Sequence, residues 1–474
     1  MRCGILLFCL VALGLPGAAQ ARFPGEPAPR PASAAAPSTG DWLAYGRDAQ
    51  LTNGASQPSI NAKTAASLHS LWHADLDGPI VASPLASSGI VYAATEAGSV
   101  VALHADTGST LWKDSFGSVA TAACGSWGIS STGAIDTARG LLYVANADGL
   151  LRAIDLATGA VEWSLAITGR PSGEYVWGGL RLVGDRLYVP VASYCDAPGS
   201  DGVFADGRVV GVDVAAQRIA ATYDTVPGSG NLGGVWGWGG VSVEPDASAL
   251  WTATGNSRVL DATCDCFVDD AGDGNSVVEL SLDLQVLASN RPEDIPTALD
   301  DDFGAAPVLF DVRGCGAYAA ANNKDGNLYV WNREDVGSGP VFKLAIGTAS
   351  ADPFVGEPSW SAGRETLYDA TTNVVIDGKS QGDGVTALRF NANCELRSPW
   401  QTAVGHGAQP PPILLGDVLF AAGGSGGWSL ISAATGDVLW HEDTPSLTVA
   451  PPIAADGRIF AGGYDGVLTA FGTG

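Results

Sequence analysis

Val101-Ala102-Leu103-His104-Ala105-Asp106-Thr107-Gly108-Ser109-Thr110-Leu111-Trp112 is the stretch that decides the fold, because the chain repeats it. It returns as Ala153-Ile154-Asp155-Leu156-Ala157-Thr158-Gly159-Ala160-Val161-Glu162-Trp163, and again as Leu430-Ile431-Ser432-Ala433-Ala434-Thr435-Gly436-Asp437-Val438-Leu439-Trp440. Looser copies lie at 210–219, 278–286, 328–333 and 387–396. Each copy reads as an alternating strand, a turn built on Gly or Asn, and an outer strand. A short apolar strand precedes most copies, at 90–94, 141–145, 187–191, 250–253, 418–421 and 459–461. Two hairpins per unit make one four-stranded blade, and the Trp after each turn is expected to pack between blades.

The last unit, from Arg458 to Phe471, has inner strands but no Thr-Gly-Trp outer strand. Its missing piece stands at the other end of the chain, as Leu68-His69-Ser70-Leu71-Trp72-His73-Ala74. Pairing the two closes a ring and removes two exposed sheet edges. The expectation is therefore an all-β fold, an eight-bladed β-propeller with N-/C-terminal closure of the last blade.

Composition agrees with many tight turns. Gly accounts for 63 of 474 residues, roughly twice its average share of about 7%. Residues 1–21 place Arg2 before an apolar stretch from Ile5 to Leu15 and then Ala19-Gln20-Ala21, the order of a secretory signal peptide. Residues 22–40 are rich in Pro and Ala and read as a disordered tether, leaving 41–474 as a single propeller domain. A periplasmic or secreted protein is expected. No later apolar run reaches the roughly 20 residues of a membrane-spanning helix. The net charge of −26 disfavours a nucleic-acid partner. Beyond the signal the chain keeps Cys124, Cys195, Cys264, Cys266, Cys315 and Cys394, an even set that reads as disulfides. Spacing leaves their pairing open, with Cys315–Cys394 as one candidate. No Cys-x-x-Cys-His haem attachment site occurs.

The Asp-x-x-Thr-Gly-x-x-x-Trp repeat and the opening Asp41-Trp42-Leu43-Ala44-Tyr45-Gly46-Arg47-Asp48 resemble the pyrroloquinoline quinone (PQQ) repeat proteins, in the quinoprotein dehydrogenase-like superfamily. That group includes PQQ-dependent alcohol dehydrogenases, polyvinyl-alcohol dehydrogenase-like proteins and non-catalytic scaffolds of outer-membrane assembly. The resemblance implies an exported oxidoreductase that oxidises a small alcohol or a polymer with PQQ and calcium and passes electrons to an external acceptor. The alternative is a non-catalytic propeller that binds a protein or polymer, since a fold does not fix a function.

Four segments resemble the catalytic members. Trp236, in Trp236-Gly237-Trp238, corresponds to the Trp beneath the quinone, and Asn256 to a calcium-binding Asn. A flat cofactor needs an aromatic platform, and an amide oxygen suits a hard cation. The same residues also fit a blade-core Trp and a turn Asn. Asp300-Asp301-Asp302-Phe303-Gly304-Ala305-Ala306-Pro307-Val308-Leu309, registered on Pro307 without a gap, puts the general base and a metal contact at Asp300. A solvated acidic loop fits that run equally. Lys324 takes the place of the family's basic residue at the quinone oxygens, or is simply a turn Lys. Ser193 stands where the cofactor is hydrogen-bonded, and Asp196 where the family has a calcium-binding Glu. Two features depart from the family. Adjacent cysteines over the quinone are reduced to Ala123-Cys124-Gly125, and the Arg that follows them is absent around Trp127-Gly128-Ile129.

Overall fold

The computed structural model describes residues 40–121, 124–169, 173–261, 266–268, 271–295, 301–347, 356–372, 375–380, 382–405, 410–424 and 426–474. The signal and nearly all of the tether, together with Cys264, His406 and Asp300, therefore lie outside the described residues.

Eight antiparallel four-stranded blades follow one another around a ring. Blade 1 runs from Leu85–Ser87 through Ile90–Ala94 and Ser99–His104 to Thr110–Ser115. Blades 2 to 7 repeat this order, their innermost strands being Ala134–Asp136, Arg181–Val183, Ser242–Val243, Val308–Val312, Ser359–Ser361 and Ile413–Leu415. Blade 8 takes Ile453–Ala455, Arg458–Gly462 and Val467–Gly472 from the C-terminus and its outer strand, His69–Asp75, from the N-terminal region. The closure expected from the repeat is present, with His69 opposite Gly472 and Asp75 opposite Val467.

The Trp of the repeat reaches its neighbour through a bulge. Where the outer strand pairs with the third strand, seven blades slip register by one residue. In blade 1 Ala102 faces Trp112 and Leu103 faces Thr110, so Leu111 is the extra residue. A bulge re-aims the side chains that follow it. Trp112 thereby lies against the next blade, and its Nε1 donates to the carbonyl of Leu156 at 2.9 Å. Trp72 does the same to Ala105 at 3.0 Å. The repeat glycine is the receiving surface: a Cβ at Gly108, where φ is 68°, would fall 2.6 Å from the Trp72 ring. Gly is needed there for both the backbone angle and the contact.

A second device was not visible in the sequence. The segment from Trp42 to Gln57 runs inside the ring and touches the innermost strands in blade order. Trp42 N donates to Ala86 O (2.8 Å), Ile135 N to Leu43 O (2.8 Å), and the buried Arg181 Nη2 to Tyr45 O (2.6 Å). Val243, Leu309, Trp360 and Leu414 then donate their N–H groups to the carbonyls of Ala49, Gln50, Thr52 and Asn53. Gln57 Nε2 completes the circuit on Ala454 O at 3.2 Å. The segment thus satisfies backbone donors that would otherwise face the channel.

Candidate active site

Strands of a blade alternate in direction, so two kinds of connection leave the ring at the same end: hairpins joining second to third strands, and crossings from one blade to the next. These connections gather chemistry at that end. Ser193 ends the second strand of blade 3, Arg186–Ser193, and Asp196 follows in its hairpin. Trp236 lies on the crossing from blade 3 to blade 4, and Asn256 just past the second strand of blade 4, Ala249–Ala253. Asp302 precedes the inner strand of blade 5, and Lys324 sits in that blade's hairpin between Gly316–Asn323 and Asn327–Asn332. All six line one cavity of about 430 Å³, a size typical of small-molecule sites.

Asp302 is the hub. Its side chain is buried, and Lys324 Nζ lies 2.8 Å from Oδ1. Trp236 Nε1 donates to Oδ2 at 3.0 Å, and the Asn256 N–H to the same oxygen at 3.4 Å. Lys324 Nζ also stands 4.3 Å from the centroid of the Trp236 ring, a cation–π distance. Glycine makes this close packing feasible. A Cβ at Gly304 would fall 2.9 Å from the Trp236 indole, and one at Gly255 would fall 2.7 Å from Asp302 Oδ2.

Aromatic rings form the remaining wall. Trp177 lies 5.5 Å from Trp236, Tyr175 4.6 Å from Tyr194, and Trp127 5.6 Å from Tyr175. Burial pushes the Tyr175 phenol well above its ordinary value, and the nearby Glu96 carboxylate adds to that rise. Burial also raises Glu96, against hydrogen bonds from the Ser130 hydroxyl and the Gly128 N–H. Below the pocket Trp177 meets Trp238 edge-on at 6.2 Å, and Trp238 packs with Tyr45 and Leu51 of the channel segment.

Among the described residues no group of three or more His, Cys, Asp or Glu side chains gathers around a metal position. The oxygen set here is instead mixed: the carboxylates of Asp196 and Asp302 with the amide of Asn256. Ser193 Oγ donates to Asp196 Oδ1 at 2.5 Å. Of the residues picked out in the sequence, Trp236, Lys324, Ser193, Asp196 and Asn256 come together, while Asp300 lies outside the described residues. Asp302, two residues further along, is the carboxylate of this run that lines the cavity among the described residues. The sequence did not single out Asp302, because three consecutive Asp residues look alike. Trp177, Tyr175 and Tyr194 were also missed, since each belongs to a connection outside the repeat.

Two disulfides are present among the described residues. Cys315–Cys394, the candidate pair, is formed, and Cys124 is bonded to Cys195 at the cavity wall. Cys124 therefore takes a partner 71 residues away rather than an adjacent cysteine.

Comparison with known proteins places this geometry in context. The family model described as outer membrane protein assembly factor BamB matches residues 29–224 and 396–474. Polyvinylalcohol dehydrogenase of Sphingopyxis sp. is 22% identical over 93% of this chain and 73% of its own length. Quinohemoprotein alcohol dehydrogenase ADH IIB of Pseudomonas putida is 25% identical over 54% of this chain, a match spanning 39% of that enzyme. The crystal structure of quinohemoprotein alcohol dehydrogenase from Comamonas testosteroni superposes with a TM-score of 0.72 at 17% identity, covering 93% of this chain and 81% of that one.

Proposed function

The chain belongs to the PQQ-repeat family of the quinoprotein dehydrogenase superfamily, and from that premise we propose that its cavity binds PQQ with calcium and oxidises an alcohol. The observation that carries this reading is convergence: Trp236, Lys324, Asp302, Asn256, Ser193 and Asp196, drawn from five separate connections, meet in one pocket. The residues present fit the cofactor pair. The Trp236 indole, within a cluster of tilted aromatic rings, offers a flat face for a planar ring system. Two carboxylates and an amide are hard oxygen donors suited to calcium. The Lys324 ammonium offers charge to quinone oxygens.

When bound, PQQ supplies the two-electron acceptor and calcium the Lewis acid that polarises it. The chain does the rest. Asp302 takes the alcohol proton on a side-chain oxygen, the role the sequence register had given to Asp300. Its bonds to Lys324, Trp236 and Asn256 fix the direction of that oxygen. Trp236 would supply the stacking face with Trp177 packed beside it, and the Tyr175–Tyr194 pair would exclude water from one side. An external acceptor is needed to carry the electrons away. The basic, apolar and small-residue order of residues 1–21, with two disulfides, supports a periplasmic or secreted location.

A second reading, a scaffold that binds a protein or polymer, is favoured by one observation: Cys124 is bonded to Cys195, so no adjacent-cysteine ring covers the pocket. Titration of the metal-free protein with PQQ and Ca²⁺, followed by absorbance and Trp fluorescence, separates the two. Saturable, calcium-dependent binding is expected, with an alcohol then reducing the bound quinone. Asp302→Asn should keep binding and lose turnover by about a hundredfold or more. No binding at all would leave the scaffold reading.

A further inference from the structure

The hairpin that carries Asp196 turns in a way that its sequence alone does not favour. Cys195 (φ 51°) and Asp196 (φ 47°) are consecutive non-glycine residues in the left-handed region. That conformation is unfavourable for each L residue and persists only where surrounding contacts over-determine it. Three contacts do so here. Tyr194 is buried against Tyr175, and its hydroxyl donates to Ala147 O at 3.2 Å. Asp196 folds back on Ser193, its N–H donating to Ser193 Oγ at 3.2 Å. Between them, Cys195 is covalently tied to Cys124.

Cys124 belongs to a different part of the pocket wall. It sits in the turn of a small hairpin, Val119–Thr121 with Gly125–Trp127, on the crossing from blade 1 to blade 2. Its N–H donates to Thr121 Oγ1 at 3.1 Å, which secures the turn. Trp127 of the same hairpin lines the cavity. The bridge therefore passes over blade 2 and joins the Trp127 wall to the Asp196 wall. Tyr194 acts on the turn through packing and Ser193 through two hydrogen bonds to Asp196, whereas the bridge is the covalent restraint on the residue next to it.

We propose that the Cys124–Cys195 bridge is the positioning element for Asp196, holding the left-handed turn that keeps this carboxylate at the cavity for a hard cation. The proposal rests on reading the cavity as a quinone and calcium site, and adds to it a residue pair that is not itself among the oxygen donors. With the bridge open, the turn relaxes to an ordinary backbone conformation and the carboxylate leaves the wall. The cation site then keeps Asn256 and Asp302 but loses its third oxygen ligand.

The molecule supplies its own control. Cys315–Cys394 closes a segment of 79 residues against 71 for Cys124–Cys195, so opening either bridge releases nearly the same chain entropy. Cys315 lies in the turn between Val308–Val312 and Gly316–Asn323, at the ring end opposite the cavity. The test compares wild type, Cys124→Ser (which leaves Cys195 in the wall) and the double variant Cys315→Ser/Cys394→Ser. Melting temperature, the calcium concentration that half-saturates PQQ binding, and hydrogen exchange of the Tyr194, Cys195 and Asp196 amides are measured on each.

The two variants should lose similar melting temperature. Only Cys124→Ser should need tenfold or more calcium, and only there should the three amides exchange faster. Wild-type calcium dependence in Cys124→Ser, or an equal loss in the control pair, overturns the proposal. Unchanged exchange at Tyr194–Asp196 overturns it as well, whatever the calcium result. If wild type binds no PQQ with calcium present, the functional reading falls, and the exchange data alone decide whether the bridge holds the turn.

Discussion

Blades 1 and 2 and blades 3 and 4 share an architecture and differ in their hairpins. Second and third strands are joined through residues 95–98 in blade 1 and 146–149 in blade 2, but through 194–207 in blade 3 and 254–276 in blade 4. The regular side keeps the Thr-Gly turns and the Trp packing, and its core runs without a break from blades 7 and 8 through blades 1 and 2. The other side drops the Thr-Gly turn (Gln217, with φ 53°, stands at the turn in blade 3) and divides its core into smaller clusters. Short repeated turns leave nothing for a ligand to touch. Longer connections provide side chains for a pocket, and the ring of bulged strands holds them in place.

That contrast breaks first at the closure. Deleting residues through Ala74 removes both the outer strand of blade 8 and the channel segment that touches the blades in turn. Two sheet edges and a row of inner N–H groups would be exposed. The truncated protein should be insoluble or lack a cooperative melting transition, whereas deleting 22–40 should shift the melting temperature little. Equal melting of the two truncations would remove the distinction.

The next test sets one tryptophan from each side against the other. Trp112→Ala empties the contact on Gly159 and removes the indole hydrogen bond to the Leu156 carbonyl, leaving it the longer bond from the Tyr92 hydroxyl. The ring is only partly buried, so the loss should fall toward the lower end of the roughly 3–5 kcal/mol seen for core Trp truncations. Cofactor binding should be kept. Trp236→Ala should show the reverse pattern, a smaller stability loss and weakened PQQ binding, since the platform is lost while Asn256 and Asp196 remain. Thermal unfolding and PQQ titration of both variants check the crossing. Two variants that lose stability and binding in the same proportion would mean that the pocket is no more than another blade interface.

How legible each part was in the sequence follows the same division. The ring, its closure and the Trp between blades could be read because each is a local pattern repeated, with the bulge carried inside the repeat. Trp236, Asn256, Lys324, Ser193 and Asp196 were reached only through family resemblance, and the structure gathers them because their connections leave the ring at one end. Asp302 was hidden within Asp300-Asp301-Asp302, where its place in the cavity lining and its bond to Lys324 are features of the fold that the sequence does not carry. The Trp42–Gln57 circuit and the Cys124–Cys195 pair could not be read at all. Each of their contacts joins residues tens to hundreds of positions apart, with no periodicity to announce it.

The smallest expected effect sharpens the comparison at the seam between the two sides. Glu357, wholly buried at the start of blade 6, accepts a hydrogen bond from Asn53 Nδ2 of the channel segment at 3.1 Å. Burial pushes its carboxyl up to about 8, against the Asn53 bond and the Arg181 charge, which act the other way. An unfolded Glu titrates near about 4.3. Between those values the folded protein holds a proton that the unfolded chain has released, so stability falls as pH rises through that window. The contribution is fully present below about pH 4 and lost by about pH 8, at roughly 1.4 kcal/mol per pKa unit as an upper bound. Asp369, raised to about 7 by burial against the Asn322 bond, adds a slope of the same sign. Glu357→Gln removes the first contribution and keeps an acceptor for Asn53. Its melting temperature should decline less steeply than wild type between pH 5 and 8, and the two curves should separate most at the alkaline end. PQQ affinity should not change, because Glu357 acts on the channel segment and not on the cavity. Parallel melting curves would show that Glu357 is ionised in the folded ring and that the seam carries its charge without cost.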